Sequence, residues 1–172
     1  MMLDTWKPIQ MFFAEHSVWI SLCAVVICYL LGDKKSLRYA LLVAVFYILG
    51  TFTSDYIRAI DDVRIYRYIF WALNDIIFMG IVAYWALKDK MYMWQSILAQ
   101  LIIVPAPIMQ LFRLVDRHLM DLSFSTQLYI TIIPIVNVAT LCLAFVPVFL
   151  LWKLKTERKE PGKALDKVEA SR

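Results

Sequence analysis

Long apolar runs alternate with short charged ones along nearly the whole chain. The apolar runs cover residues 10–31, 37–57, 68–87, 93–112 and 128–152. Each approaches the roughly 20 residues that a helix needs to cross a bilayer core. Backbone polar groups in lipid must be satisfied within the segment, so runs of this length imply helices. A transmembrane barrel would instead alternate inward and outward residues in strands of about ten, with turn residues between them. These runs are continuously apolar, and the chain holds only four glycines. The pattern predicts an all-α integral membrane protein, a bundle of about five transmembrane helices with short loops.

Details within the runs modify this picture. Glu15 and His16 lie inside the first run, so its outer turn is expected to be tilted or interfacial. The second run ends in Thr51, Thr53, Ser54 and Asp55. If its helix continues outward, Arg58 and Asp62 stand four apart and Asp61 and Arg64 three apart, which allows each to pair. The fourth run contains Pro105-Ala106-Pro107. Each proline removes a backbone hydrogen bond and clashes with the preceding turn, so a kink is expected at Pro105/Pro107. Pro134 and Pro147 repeat the effect more mildly in the fifth run. Beyond residue 152 the composition turns polar. Residues 153–160 are expected to extend the last helix, and Pro161-Gly162 to stop it. The organisation is thus a transmembrane domain over 1–152 and a basic tail over 153–172.

Composition agrees. The 172 residues are 62% hydrophobic, against about 45–50% in soluble domains, and mean hydropathy is +0.66. Residues 1–10 carry one lysine and one aspartate, and no Ala-x-Ala site follows the first run, so a cleaved leader is not expected. Charge sets the expected orientation. The loops on the N-terminal side hold six cations; those on the other side, with the tail, hold twelve. The positive-inside rule then places the N-terminus outside and the C-terminus in the cytoplasm, with a bacterial inner membrane as the expected location. The tail holds seven of the twelve and decides much of this reading. Trp6, Trp85, Trp94 and Trp152 fall near span ends, where indoles favour the headgroup region.

Asp75 is the sharpest anomaly. It falls near the middle of the third run, where a carboxylate costs about 2.5–3.5 kcal/mol on insertion scales. It is expected to face protein or water. Asn74 adjoins it, about 100° around the helix. Depth alone places Gln100 and Asn137 near the same level, together with carbonyls freed by the two prolines. An intramembrane polar layer of Asp75, Asn74, Gln100 and Asn137 is therefore the candidate site. It serves either as interhelical glue or as a place where a cation, proton or ligand is bound.

The outer side carries a second, charged cluster. Glu15, His16, Asp55 and Arg58 come from the first two segments. Arg64, Arg67, Arg113 and Arg117 come from the two outer loops. Paired or solvated charges are the simpler reading of this group. On the opposite side, Lys153, Lys155, Arg158 and Lys159 are candidates for docking a cytoplasmic protein or anionic lipid. Two histidines and three cysteines, without ligand spacing, point to no metal and no cofactor. Asp116, His118 and Ser123 form no recognisable hydrolytic motif. No enzymatic activity and no direct nucleic-acid binding are expected.

Three function classes remain. The first is a non-enzymatic membrane subunit, a sensor, anchor or pore-forming component. It would lie in the lipid bilayer as a homo-oligomer or part of a larger complex and hold a cytoplasmic partner. The second is a proton- or cation-conducting channel or carrier that uses Asp75. The third, a membrane enzyme, lacks a catalytic constellation.

Overall fold

A computed structural model describes residues 2–120 and 124–159. Its elements are α1 (Met2–Leu31), α2 (Lys34–Ile60), α3 (Tyr66–Leu87), α4 (Met93–Ile103), α5 (Pro105–Val115), a π turn (Asp116–Met120) and α6 (Phe124–Lys159). No strand occurs among the described residues. The fold is a helical membrane bundle. Four stretches are long and apolar enough to cross a bilayer: Lys34–Ile60, Tyr66–Leu87, Met93–His118 and Ser125–Leu150. The fifth expected span is shorter, with its apolar helix confined to Glu15–Leu31. Glu15 and His16, at its start, are both exposed.

The kink expected at Pro105/Pro107 is a joint. α4 ends at Ile103, Val104 keeps helical dihedrals, and α5 starts at Pro105. Proline is favoured at a first helical position because it has no N–H to satisfy there. The last helix runs through Lys159, so Lys153, Lys155, Arg158 and Lys159 lie on its final turns. Their side chains, and the expected stop at Pro161-Gly162, lie outside the described residues.

Packing is organised around α6, which touches α1, α2, α4 and α5. α3 packs chiefly on α5 and α4. The two ends of the bundle differ. At one end lie the tight α1–α2 and α3–α4 connections, here called the hairpin end. Asp33 caps α2 there, accepting from the backbone N–H of Lys35 at 3.0 Å and from the Ser36 hydroxyl. Tyr92 also donates to Asp33, at 3.3 Å. Lys35 pairs with Asp89 at 2.7 Å, and Arg38 donates to the Lys90 carbonyl at 2.7 Å. These bonds tie the two connections together.

Directly inside this end the core is dense. Ala24, Tyr39, Ala40, Val43, Gln95 and Ala144 are fully enclosed. Tyr39 meets Phe78 edge-on with centroids 6.1 Å apart, a favoured aromatic geometry. Gln95 explains how α6 tolerates Pro147. A proline cannot donate to the carbonyl four residues earlier, which here is Leu143. The Gln95 side-chain amide donates to that carbonyl from α4, at 3.5 Å.

At the other end, Asp61 joins α2 to α3. Its backbone N–H donates to Ile57 at 3.1 Å and closes α2. Its carboxylate accepts from the backbone N–H groups of Ile65, Tyr66 and Arg67 at 3.0, 3.2 and 2.8 Å. The expected Asp61–Arg64 ion pair therefore does not form, because three first-turn N–H groups of α3 occupy the carboxylate. Arg64 turns the chain with φ +62°, in the left-handed region that side chains enter at a cost.

Candidate functional site

A chamber of ≈ 720 Å³ lies inside the open end of the bundle. Each wall follows from helical spacing, since residues three, four and seven apart share a face. α3 supplies Trp71, Asn74, Asp75 and Phe78. α2 supplies Phe46, Tyr47, Gly50, Thr51, Ser54 and Asp55, with Arg58 one turn further out. α5 contributes Ala106 and Gln110, and α6 contributes Tyr129, Ile133, Asn137 and Leu141. Met11, Phe13 and Ser17 of α1 close the remaining side.

The floor is apolar and tight. Val43, Phe78 and Leu141 form it and are themselves buried. Beneath them lie Tyr39, Ala40 and Ala144, all fully enclosed. The mouth is polar, with exposed Thr51, Asp55 and Arg58. The space therefore runs inward from one end and stops near mid-bundle. A Cβ added at Gly50 would meet the Trp71 ring at 3.5 Å, an ordinary van der Waals contact.

Of the four polar candidates within the membrane, three meet here. Asp75, Asn74 and Asn137 all line the chamber. Asn74 faces it despite its offset from Asp75, because the space is wide enough to span neighbouring positions on α3. Gln100 lies elsewhere. It donates to the Met79 carbonyl at 2.8 Å and clips α4 to α3. Depth gave its level but not its direction around the helix.

Gln110 takes the place that was expected of Gln100. It is 4% exposed, and its Oε1 has no hydrogen-bond partner among the described residues. Its amide lies beside the Tyr129 hydroxyl, which is also within the field of Asp75. Tyr47 is a second hydroxyl near Asp75; it donates to the Asn137 carbonyl at 2.9 Å. Among the described residues, no hydrogen bond or ion pair reaches the Asp75 carboxylate. The signal for Gln110 in the sequence was its position three residues after Pro107, on the face that follows the joint.

Of the outer charged residues, Arg67, Arg113 and Arg117 meet around Tyr68. Asp55 and Arg58 stand at the chamber mouth. His16 stacks on Phe12 at 4.5 Å and bonds the Phe12 carbonyl at 3.0 Å, while Glu15 is exposed. Arg64 occupies the turn, and Arg67 lies over the Tyr68 ring at 5.3 Å. Arg113 pairs with buried Asp116 at 3.1 Å and donates to Ser125 at 2.8 Å. Ser125 also donates to Asp116. Arg117 lies beside Tyr68. This arrangement links α5, the π turn and α6.

Asp61 lies outside the spans. Burial alone would raise its pKa. The N–H donors of Arg67, Ile65 and Tyr66, with the Arg67 charge, outweigh that and hold it below the usual carboxylate range. No group of three or more His, Cys, Asp or Glu with metal-binding geometry occurs among the described residues. The three cysteines are free. No known family, no curated protein and no solved structure matches the chain.

Proposed function

We propose that this chain is a non-enzymatic, multi-pass membrane subunit that senses a small molecule in its chamber. The observation that carries this reading is the shape of the space. It is open at a polar mouth and ends on a packed floor. Its volume falls in the range of small-molecule sites, roughly 300–1,000 Å³. The walls combine aromatic surface with a few convergent polar groups, as such sites do.

α6 supplies the route outward. Tyr129, Ile133, Asn137 and Leu141 line the chamber, and the same helix continues to Lys159. Occupancy that shifts α6 would also move its basic end. In this reading the protein lies in a bacterial inner membrane, with the N-terminus outside and the tail in the cytoplasm. The tail docks a cytoplasmic partner, and the chain works as an oligomer or within a larger complex.

Binding of naphthylethanol to the full chain in nanodiscs tests the chamber. Saturable binding that is abolished by Ala106→Phe, in a variant with unchanged elution, is the expected result. Non-saturable uptake indifferent to this substitution would overturn the reading. Recovery of a cytoplasmic partner should depend on residues 153–172.

Proton or cation passage is the second reading, favoured by a carboxylate at mid-depth in a chamber with a polar mouth. The packed floor argues against it. Proteoliposome flux that disappears with Asp75→Asn would reverse the preference.

A further inference from the structure

We infer that the chamber takes a monovalent organic cation with an apolar body, of the arylalkylammonium class. Its charged head would sit between Asp75 and the Gln110 amide oxygen. Its body would lie against Phe46, Trp71 and Phe78. This rests on the chamber being a ligand site, as proposed above, and adds the chemistry of the ligand.

Three observations converge on a cation. The first is an uncompensated charge. No described ion pair reaches Asp75, and Arg58 is the one cation among the described lining residues. Arg58 stands at the mouth, roughly 10 Å from Asp75 along the bundle axis at ~1.5 Å per residue. Asp55 lies three residues from it on the same helix, where opposite charges offset each other. A carboxylate taken out of water without a partner carries a large desolvation cost, which a bound cation would relieve.

The second observation is an orphan acceptor. A buried amide oxygen without a donor costs about 1–3 kcal/mol. Gln95 Oε1 and Gln110 Oε1 are both in this condition among the described residues, and Gln110 is the one that lines the chamber. The Tyr129 hydroxyl neighbours the Gln110 amide, and Asp75, Gln110 and Tyr129 all line the same space. An ammonium brings up to three donors and no acceptor, so it matches a carboxylate and an amide oxygen together. An anion would meet acceptors on both sides.

The third is the aromatic wall. Ring faces carry partial negative charge and attract cations, most strongly at tryptophan. Trp71, Phe46, Phe78, Tyr47 and Tyr129 all border the space. An inorganic divalent ion fits poorly, since calcium takes six to eight oxygen ligands, and the described residues show no metal-binding cluster of acidic, His or Cys side chains.

Three probes of similar shape separate the possibilities: naphthylethylamine, naphthylethanol and naphthylpropionate. Each is titrated onto the full chain in nanodiscs of zwitterionic lipid. The amine should bind about tenfold more tightly than the alcohol, and the propionate more weakly than either. Asp75→Asn should remove the preference for the amine over the alcohol. Asp75→Glu should retain part of the preference. Gln110→Leu should weaken the amine about threefold, and the alcohol by less. Equal binding of amine and alcohol, or equal loss of both in Asp75→Asn, would overturn the cation assignment and leave the chamber as a ligand site. Failure of all three probes to saturate would overturn the ligand site itself. Elution profiles and helical circular dichroism of each variant separate these outcomes from misfolding.

Discussion

At the hairpin end, Tyr39, Gln95 and Ala144 are fully enclosed and the connecting loops are bonded to each other. At the open end, the same helices part around ≈ 720 Å³ of space. Both ends contain polar side chains at membrane depth. In the packed half the donor groups of these side chains go to neighbouring backbone, although Gln95 Oε1 has no partner among the described residues. Gln95 reaches the carbonyl released by Pro147, Gln100 reaches Met79, and Ser96 reaches Val82. In the hollow half, Asp75 and the Gln110 oxygen have no such partner among the described residues. Polar residues thus serve assembly where the helices touch, and remain available where the helices separate. Neither polarity at depth nor an unpartnered oxygen distinguishes the two uses, since Gln95 Oε1 and Gln110 Oε1 share both; Gln110 differs in standing on the chamber wall.

The strongest way to break this comparison is to treat the two halves alike. Tyr39→Ala should destabilise the bundle by about 3–5 kcal/mol, the range for removing a buried aromatic ring, measured by denaturant unfolding in micelles. Asp75→Asn, at the hollow half, should cause no loss of stability and should gain up to about 2.5–3.5 kcal/mol, the insertion cost of the charge. A stability loss on Asp75→Asn would mean that the carboxylate has a structural partner.

Gln95 offers a sharper test within the packed half. Gln95→Leu should cost about 1–3 kcal/mol by orphaning the Leu143 carbonyl. In a Pro147→Ala background the helix supplies its own donor, so the cost of the same substitution should shrink. A double-mutant cycle without coupling would refute the assignment.

Asp61 should give a smaller, pH-dependent effect. Its folded pKa lies below the usual value. The stability it contributes is therefore fully present above the ordinary carboxylate range, near pH 4. It is lost as pH falls through the lowered pKa. Asp61→Asn should flatten that part of the acid unfolding profile. The smallest effect is expected from Lys35→Ala, whose exposed pairing with Asp89 is worth about 0.2–1 kcal/mol.

Much of the fold was legible as a pattern. Run length located the helices, and Pro105 and Pro107 located the joint. The depth of Asp75 could be counted along its segment. Depth, however, is one coordinate, and a site needs three. Gln100 and Asn137 have similar depth, yet one clips two helices and the other lines the chamber. Their azimuth depends on which helices are neighbours, and α6 acquires its neighbours through tertiary packing. Gln110 was missed for the same reason. Its importance arises from its place on the chamber wall beside Tyr129, which depends on how α5 packs against α6. The Gln95–Leu143 contact was also hidden, since it joins residues 48 apart in the chain. Asp61 was read as a surface charge because its true partners are backbone groups four to six residues ahead.

The joint at Val104 has a mechanical meaning. α5 continues from α4 through Val104 and packs on α3 and α6, and Gln110 lies six residues along from Val104, about 9 Å at ~1.5 Å per residue. Pivoting that arm by roughly 10° would carry Gln110 about 1.6 Å, by the same helical rise. That distance separates a good hydrogen bond from none. A change of angle at this joint would therefore alter how Gln110 meets the chamber.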